Sequence, residues 1–263
     1  MNRIDRTFEK LKKNGEKALV GFVTAGDPDM KASYDIVASM CRAGIDVLEL
    51  GVPFSDPTAD GPVIQRSSAR ALEKGINLKT VLSMTGKLRE ETAVPIILFS
   101  YYNPIHAYGN EKFYKDALDV GADGVLVVDL PPEESDEMTE TWPGTDLALI
   151  RLIAPTTPLD RMRKITADAQ GFIYLVSKTG VTGSTGLKTE SIGRQVESLR
   201  DVTSLPVCVG FGISTTDDVA AVASVADGVV IGSGFERLIE DNLDNKNLAA
   251  ILADQARKYK EAT

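Results

Sequence analysis

Eight short apolar runs alternate with longer segments of helical periodicity along the whole chain, and this alternation constrains the fold more than any other feature. The runs are ALVGFVTAG, DVLELG, PIILFSYY, GVLVVDLP, LALIRLIAP, GFIYLVSKTG, PVCVGFG and GVVIGSG. Between most of them apolar residues recur at helical spacing, as Ile36, Val37 and Met40 do in one segment and Phe113, Ala117 and Leu118 in another. Strands that alternate with helices form a parallel sheet, and right-handed crossovers repeated eight times close it into a barrel. The expected fold is α/β, a (β/α)8 barrel built as one domain over residues 1–263, with a short helix after strand eight. An open doubly wound sheet is the second choice, weakened by the absence of a GxGxxG fingerprint.

A phrase recurs at the joints: AGIDVLEL, VGADGVLVVD and SVADGVVIGS. Each carries a helix-stop signal, then an aspartate, then the opening of a strand. The amino-terminal stretch MNRIDRTFEKLKKNG puts Ile4, Phe8 and Leu11 on one stripe and precedes the first strand, so it is expected to be an extra helix lying across the bottom of the barrel.

Composition narrows the partners. A hydrophobic content of 43% and a charged content of 25% suit a soluble globular protein of 263 residues. The net charge of −9 speaks against nucleic acid or an anionic membrane as partner, while leaving room for a small anion held by backbone donors. The two cysteines, Cys41 and Cys208, lie far apart without metal-ligand spacing and read as buried thiols in a reducing compartment. With no apolar leader and no run of membrane length, the chain is expected to be cytoplasmic.

Barrel sites gather at the carboxyl ends of the strands. Glu49 ends the second run, and the period-two pattern sets Leu48 and Leu50 toward the helices and Val47 and Glu49 toward the barrel interior. A carboxylate there loses hydration and is pushed toward protonation, which suits a general acid/base near neutral pH. A rim glutamate paired with a Lys or Arg is the plainer alternative. In the following PFSDPTADGP, both Asp56 and Asp60 have the setting of turn formers, and the loop pattern does not choose between them. His106, in NPIHAYG, is expected to be a surface loop residue.

Three glycine-bearing loops fall where this fold holds phosphate. Run six leads into SKTGVTGSTG; run seven into GFGIS, with Gly212 before an expected N-cap at Ser214 and Asp217 in the capping-box position; run eight into IGSG, with Gly232 and Ser233 opening a short helix. Phe22, Phe99, Tyr101, Ile153, Tyr174 and Phe211 stand at strand ends, where they are core filler by default and walls for a flat aromatic ligand if a site exists.

The stretches LELGVPFSDPTADGP, YYNPI, GVLVVDLPPEES, LIAPTTP, SKTGVTG, GFGIS and IGS, in that order, closely resemble the tryptophan synthase α chain family. The resemblance implies retro-aldol cleavage of indole-3-glycerol phosphate to indole and glyceraldehyde 3-phosphate, with no cofactor or metal in this chain. It also implies an αββα complex with a β chain that contains pyridoxal phosphate and consumes the indole. Residue by residue, Glu49 matches the general acid/base and Asp60 the second catalytic acid. Gly183, Gly212, Gly232 and Ser233 match the phosphate donors, and the six strand-end positions match the indole pocket. Asp56 falls in the loop facing the β chain and Thr182 in the lid over Asp60. The chain departs from the family pattern at Thr58, Arg151, Lys178 and Gly234–Phe235. A free-standing indole-releasing lyase and a catalytically weak allosteric partner of the β chain are the alternatives within the family. A metal-dependent sugar-phosphate epimerase lies outside it, and one histidine cannot supply its ligands.

Overall fold

The barrel closes with all eight expected strands, parallel and in chain order. The computed structural model describes residues 2–177, 189–210 and 212–263. The strands are β1 (Ala18–Thr24), β2 (Val47–Gly51), β3 (Ile96–Ser100), β4 (Gly124–Val127), β5 (Ala148–Ile153), β6 (Ile173–Val176), β7 (Val207–Gly210) and β8 (Gly228–Ile231). The helices of the first half are α1 (Arg3–Asn14), α2 (Met30–Ala43), α3 (Pro62–Glu73), α4 (Leu78–Glu91), α5 (Tyr102–Tyr108) and α6 (Asn110–Asp119). Those of the second half are α7 (Ser135–Thr139), α8 (Leu159–Thr166), α9 (Thr189–Arg200), α10 (Thr216–Ala223), α11 (Ser233–Glu240) and α12 (Leu248–Glu261).

Alternation along each strand divides the apolar residues into two cores. Leu19, Leu48, Leu50, Leu98 and Val229 face outward and pack under the helices. Val20, Val47, Ile97, Leu126, Ile150, Cys208 and Val230 face inward and fill the barrel. The inner core is closed at the amino-terminal end by α1, whose Ile4, Phe8 and Leu11 join it. Burying each of those side chains contributes roughly 1.5–3 kcal/mol. A capping box between Asn2 and Asp5 starts α1, and Gly15, with φ of 72°, ends it.

The recurring aspartates explain themselves in the structure. Asp46, just before β2, accepts the amide of Leu19 in β1 at 2.8 Å. Asp123, just before β4, accepts that of Ile96 in β3 at 2.9 Å, and Asp227, before β8, that of Val207 in β7 at 3.0 Å. Each thus satisfies a backbone donor at the foot of the preceding strand. Cations complete the arrangement: Lys260 for Asp46, Arg3 and Arg89 for Asp123, Arg200 for Asp227.

His106 corrects one expectation: it is exposed but lies on α5, because the NPIHAY segment winds into a short helix rather than a loop. A second correction concerns α10, whose N-cap is Thr215 with Asp218 as its capping-box partner. Ser214–Thr216 and Asp217–Asp218 offer adjacent hydroxyls and adjacent acids, and the pair one residue along has the closing geometry.

Candidate active site

Glu49 stands in register with Phe22 of β1 and Ile97 of β3, so its side chain enters the barrel with theirs. It is 1% exposed, and among the described residues no donor reaches either carboxyl oxygen. Lost hydration alone pushes its pKa from 4.5 up to about 8. The plainer alternative, a rim glutamate paired with a cation, has no support among the described residues.

The β2–α3 loop separates the two aspartates that the sequence left equivalent. Asp56 is exposed, takes the Ser55 hydroxyl at 2.5 Å, and its carbonyl accepts the Thr58 amide at 2.8 Å, which is turn geometry. Asp60 turns inward instead. The Tyr101 hydroxyl donates to its Oδ2 at 2.9 Å. Burial raises the Asp60 carboxyl to about 6, with the Tyr101 bond pulling the other way. Tyr101 itself is buried, stacks on Phe54 with ring centroids 5.0 Å apart, and accepts the Ala59 amide at 2.9 Å.

Tyr174 ties the two acids to one space. Its phenol is pushed upward by burial first, then by the charges of Glu49, Cys208 and Asp60. Gly210, across the β6–β7 pairing, has no side chain, and a Cβ there would collide with the Tyr174 hydroxyl. Phe22 and Phe99 meet edge to face, centroids 5.0 Å apart, on β1 and β3, the strands flanking that of Glu49. Ile153 does not belong with them. It pairs with Leu175, and both sit in the helix-facing core, whereas Leu152 pairs with Tyr174 and lies against the inner core. Period-two alternation beside outward-facing Arg151, which is ion-paired to Asp168, was the signal for Leu152.

At the neighbouring strand ends, Gly212 has φ of 73° and open space around its α-carbon. Gly232 caps α11 and lies against the Phe22 ring, where a Cβ would come within 3.5 Å. The β7 and β8 loops touch: a Cβ on Gly234 would sit 3.6 Å from the Ile213 carbonyl, and the Tyr259 hydroxyl donates to the Ser214 carbonyl at 2.7 Å. Thr215 caps α10, whereas no side chain among the described residues caps α11. The α11 amides that Ser233 opens are therefore the donors best placed for an anion. Gly183, Thr182, Lys178 and Phe211 lie outside the described residues.

The sequence reading missed a group beside this end of the site: buried Glu236 on α11, with Asp27 and Arg70. Its only sequence signal is a glutamate falling between Phe235 and Ile239 on the buried face of α11. Among the described residues no group of three or more His, Cys, Asp and Glu side chains is arranged to hold a metal ion, and no helix is long and apolar enough to cross a membrane.

The family model described as tryptophan synthase alpha chain matches residues 8–263. The tryptophan synthase alpha chain of Desulfosudis oleivorans is 64% identical over 263 residues, covering 100% of this chain and 99% of that protein. That of Desulfatibacillum aliphaticivorans is 60% identical with the same coverage. Among solved structures, the tryptophan synthase subunit alpha of Legionella pneumophila superposes with a TM-score of 0.91 at 40% identity, covering 100% of this chain and 98% of that one. A Mycobacterium tuberculosis tryptophan synthase chain gives 0.90 at 28% identity, covering 99% of this chain and 98% of that one.

Proposed function

We propose that this chain, which belongs to the tryptophan synthase α chain family and cleaves indole-3-glycerol phosphate to indole and glyceraldehyde 3-phosphate, does so with Glu49 and Asp60. The observation that carries the assignment is Glu49: a buried carboxyl in the barrel mouth, with no hydrogen-bond donor among the described residues and a pKa raised to about 8.

Protonated Glu49 gives its proton to indole C3, which becomes tetrahedral, and the ring nitrogen takes up positive charge. Asp60, ionised above about 6, accepts the ring N–H and stabilises that charge. The Glu49 carboxylate then removes the proton of the C3′ hydroxyl. The O–H electrons form the aldehyde carbonyl, the C3–C3′ bond breaks, and its electron pair restores the indole ring. Glu49 ends protonated as it began, so one proton is moved and none is consumed. Each transfer is worth roughly 10²–10⁴-fold in rate.

Phe22, Phe99, Leu152 and Tyr174 supply the walls of an indole pocket, with Tyr101 holding Asp60 at its edge. Gly212, Gly232 and Ser233 take the phosphate, supported by the uncapped α11 amides and the contact of the β7 and β8 loops. Gly183 and the Thr182 lid extend the assignment by family resemblance. The chain works without a cofactor or metal of its own, in the cytoplasm. A β chain carrying pyridoxal phosphate receives the indole in an αββα complex, with the exposed Asp56 turn on the shared face.

Indole release from indole-3-glycerol phosphate, measured with and without the cognate β chain, tests both parts. Release that rises strongly on adding β chain is the expected result. Full release by the chain alone removes the partner, and no release in either condition removes the reaction.

A further inference from the structure

α11 carries a carboxyl that the chemistry above does not use. Glu236 lies on its buried face, with no exposed surface. Its Oε1 accepts the Thr24 amide at 2.6 Å, so the side chain spans from the first turn of α11 to the last residue of β1. Ser67 of α3 lies beside the same carboxyl, its hydroxyl donating to the Ile64 carbonyl at 2.9 Å and meeting the Thr24 hydroxyl at 2.7 Å. No donor among the described residues reaches Oε2. The carboxyl of Asp27, also fully buried, lies within hydrogen-bonding reach instead.

Both Asp27 oxygens are already taken by the Arg70 fork, at 2.7 Å each. Arg70 also reaches Glu240 at 3.0 Å, and Arg66 grips Glu240 at 2.6 and 2.7 Å. The Arg70 guanidinium thus pairs with Asp27, and among the described residues no second cation reaches a buried carboxylate facing it. A proton on Glu236 relieves that opposition, because a protonated carboxyl can donate to Asp27. Burial and the Asp27 charge together push this carboxyl up to about 8.

We propose that protonated Glu236 is a positioning residue for the phosphate end of the site, bridging Thr24 and Asp27 so that the first turn of α11, with Gly232 and Ser233, is held against the end of β1. The proposal rests on the phosphate reading above. Loss of the proton sets carboxylate against carboxylate, strains the first turn of α11 and adds negative charge behind the anion seat. Phosphate affinity then falls as pH rises. The groups facing Glu236 are Asp27 from the loop after β1, and Ser67, Arg70 and, beyond it, Arg66 from α3. Glu240 lies on α11 itself, and α12 contributes Tyr259, packed on Phe235.

The test is the calorimetric Kd of glycerol 3-phosphate, predominantly dianionic over the range, from pH 7 to pH 9.5. Wild-type binding is expected to weaken about tenfold across that range. Glu236→Gln can keep both bonds, the amide donating to Asp27 and its oxygen accepting from Thr24, and is expected to hold the wild-type pH 7 affinity with a markedly flatter profile than wild type, the residual slope being that of Glu49. Asp27→Asn removes the opposing charge and is expected to flatten the profile as well, which serves if Glu236→Gln does not fold. In turnover, Glu236→Gln should lose the alkaline rise in KM yet keep the alkaline fall in kcat. A flat wild-type profile, or variants that weaken with pH as wild type does, overturns the proposal. Ser233→Asp is expected to abolish binding at pH 7; wild-type affinity in that variant overturns the phosphate reading itself, a failure distinct from that of Glu236.

Discussion

Tyr101 holds Asp60 in place: its hydroxyl donates to Oδ2 at 2.9 Å while its oxygen accepts the Ala59 amide at 2.9 Å. One phenol at the end of β3 therefore fixes both the backbone and the carboxylate of the β2–α3 loop. Among the described residues Asp56, four positions earlier in the same loop, has only local turn bonds.

Tyr101→Phe should unpin Asp60 and also remove a bond that favours its ionised form. The Asp60 pKa then rises, and the acid limb of the kcat profile moves to higher pH. At pH 7 a fall in kcat on the order of tenfold is expected, consistent with losing a charge-assisted bond of about 1.5–3 kcal/mol. A limb that stays in place would show that the tyrosine acts only as a wall.

With Glu49 working as the acid and Asp60 as the carboxylate, kcat/KM for indole release should be bell-shaped. Its limbs are expected near 6, where Asp60 gains a proton, and near 8, where Glu49 loses one. Steady-state rates at substrate concentrations well below KM from pH 5 to pH 9.5 check this.

Glu49→Gln and Asp60→Asn should each lower kcat by roughly 10²–10⁴-fold while leaving glycerol 3-phosphate affinity near wild type. Near-normal turnover in either variant would falsify its role.

Glu49→Gln should also stabilise the fold, increasingly so at high pH. Glu49 is raised from 4.5 to about 8 on folding, so its contribution is fully present below 4.5 and is lost as pH rises through 8. Relative to wild type the variant is then more stable at pH 9 than at pH 5 by on the order of a few kcal/mol, read from urea unfolding at both values.

Asp123→Ala should destabilise without touching the site. It leaves Arg3, Arg89 and the Ile96 amide facing a carboxylate that is gone, at a cost of about 3–5 kcal/mol. Thermal unfolding reports the loss, and kcat below the new midpoint stays near wild type.

The barrel was legible because strand and helix periods differ, and alternation alone turned Glu49 inward. What local pattern could not provide was the choice between equivalent neighbours. Asp56 and Asp60 share the same turn chemistry, and only contact with Tyr101, 41 residues along the chain, separates them. Ser214 and Thr215 are likewise interchangeable as caps by residue type, and only the α10 geometry selects Thr215. At the end of β5 the strand's own alternation turns Leu152, not Ile153, toward the pocket. Glu236 was invisible for another reason: a carboxyl on a buried helix face makes sense only once Asp27 and Thr24 arrive from elsewhere in the chain.

The aspartates at the feet of β2, β4 and β8 have a consequence for the whole architecture. The Gln170 side chain, just before β6, accepts the Leu149 amide of β5 at 3.2 Å and so repeats their task at the remaining joint. β1 is thereby stitched to β2, β3 to β4, β5 to β6 and β7 to β8. The cylinder is assembled from four two-strand staves, each keyed at its base by a single side chain. Register is set at the end remote from the chemistry, which leaves the loops of the opposite rim free to diverge.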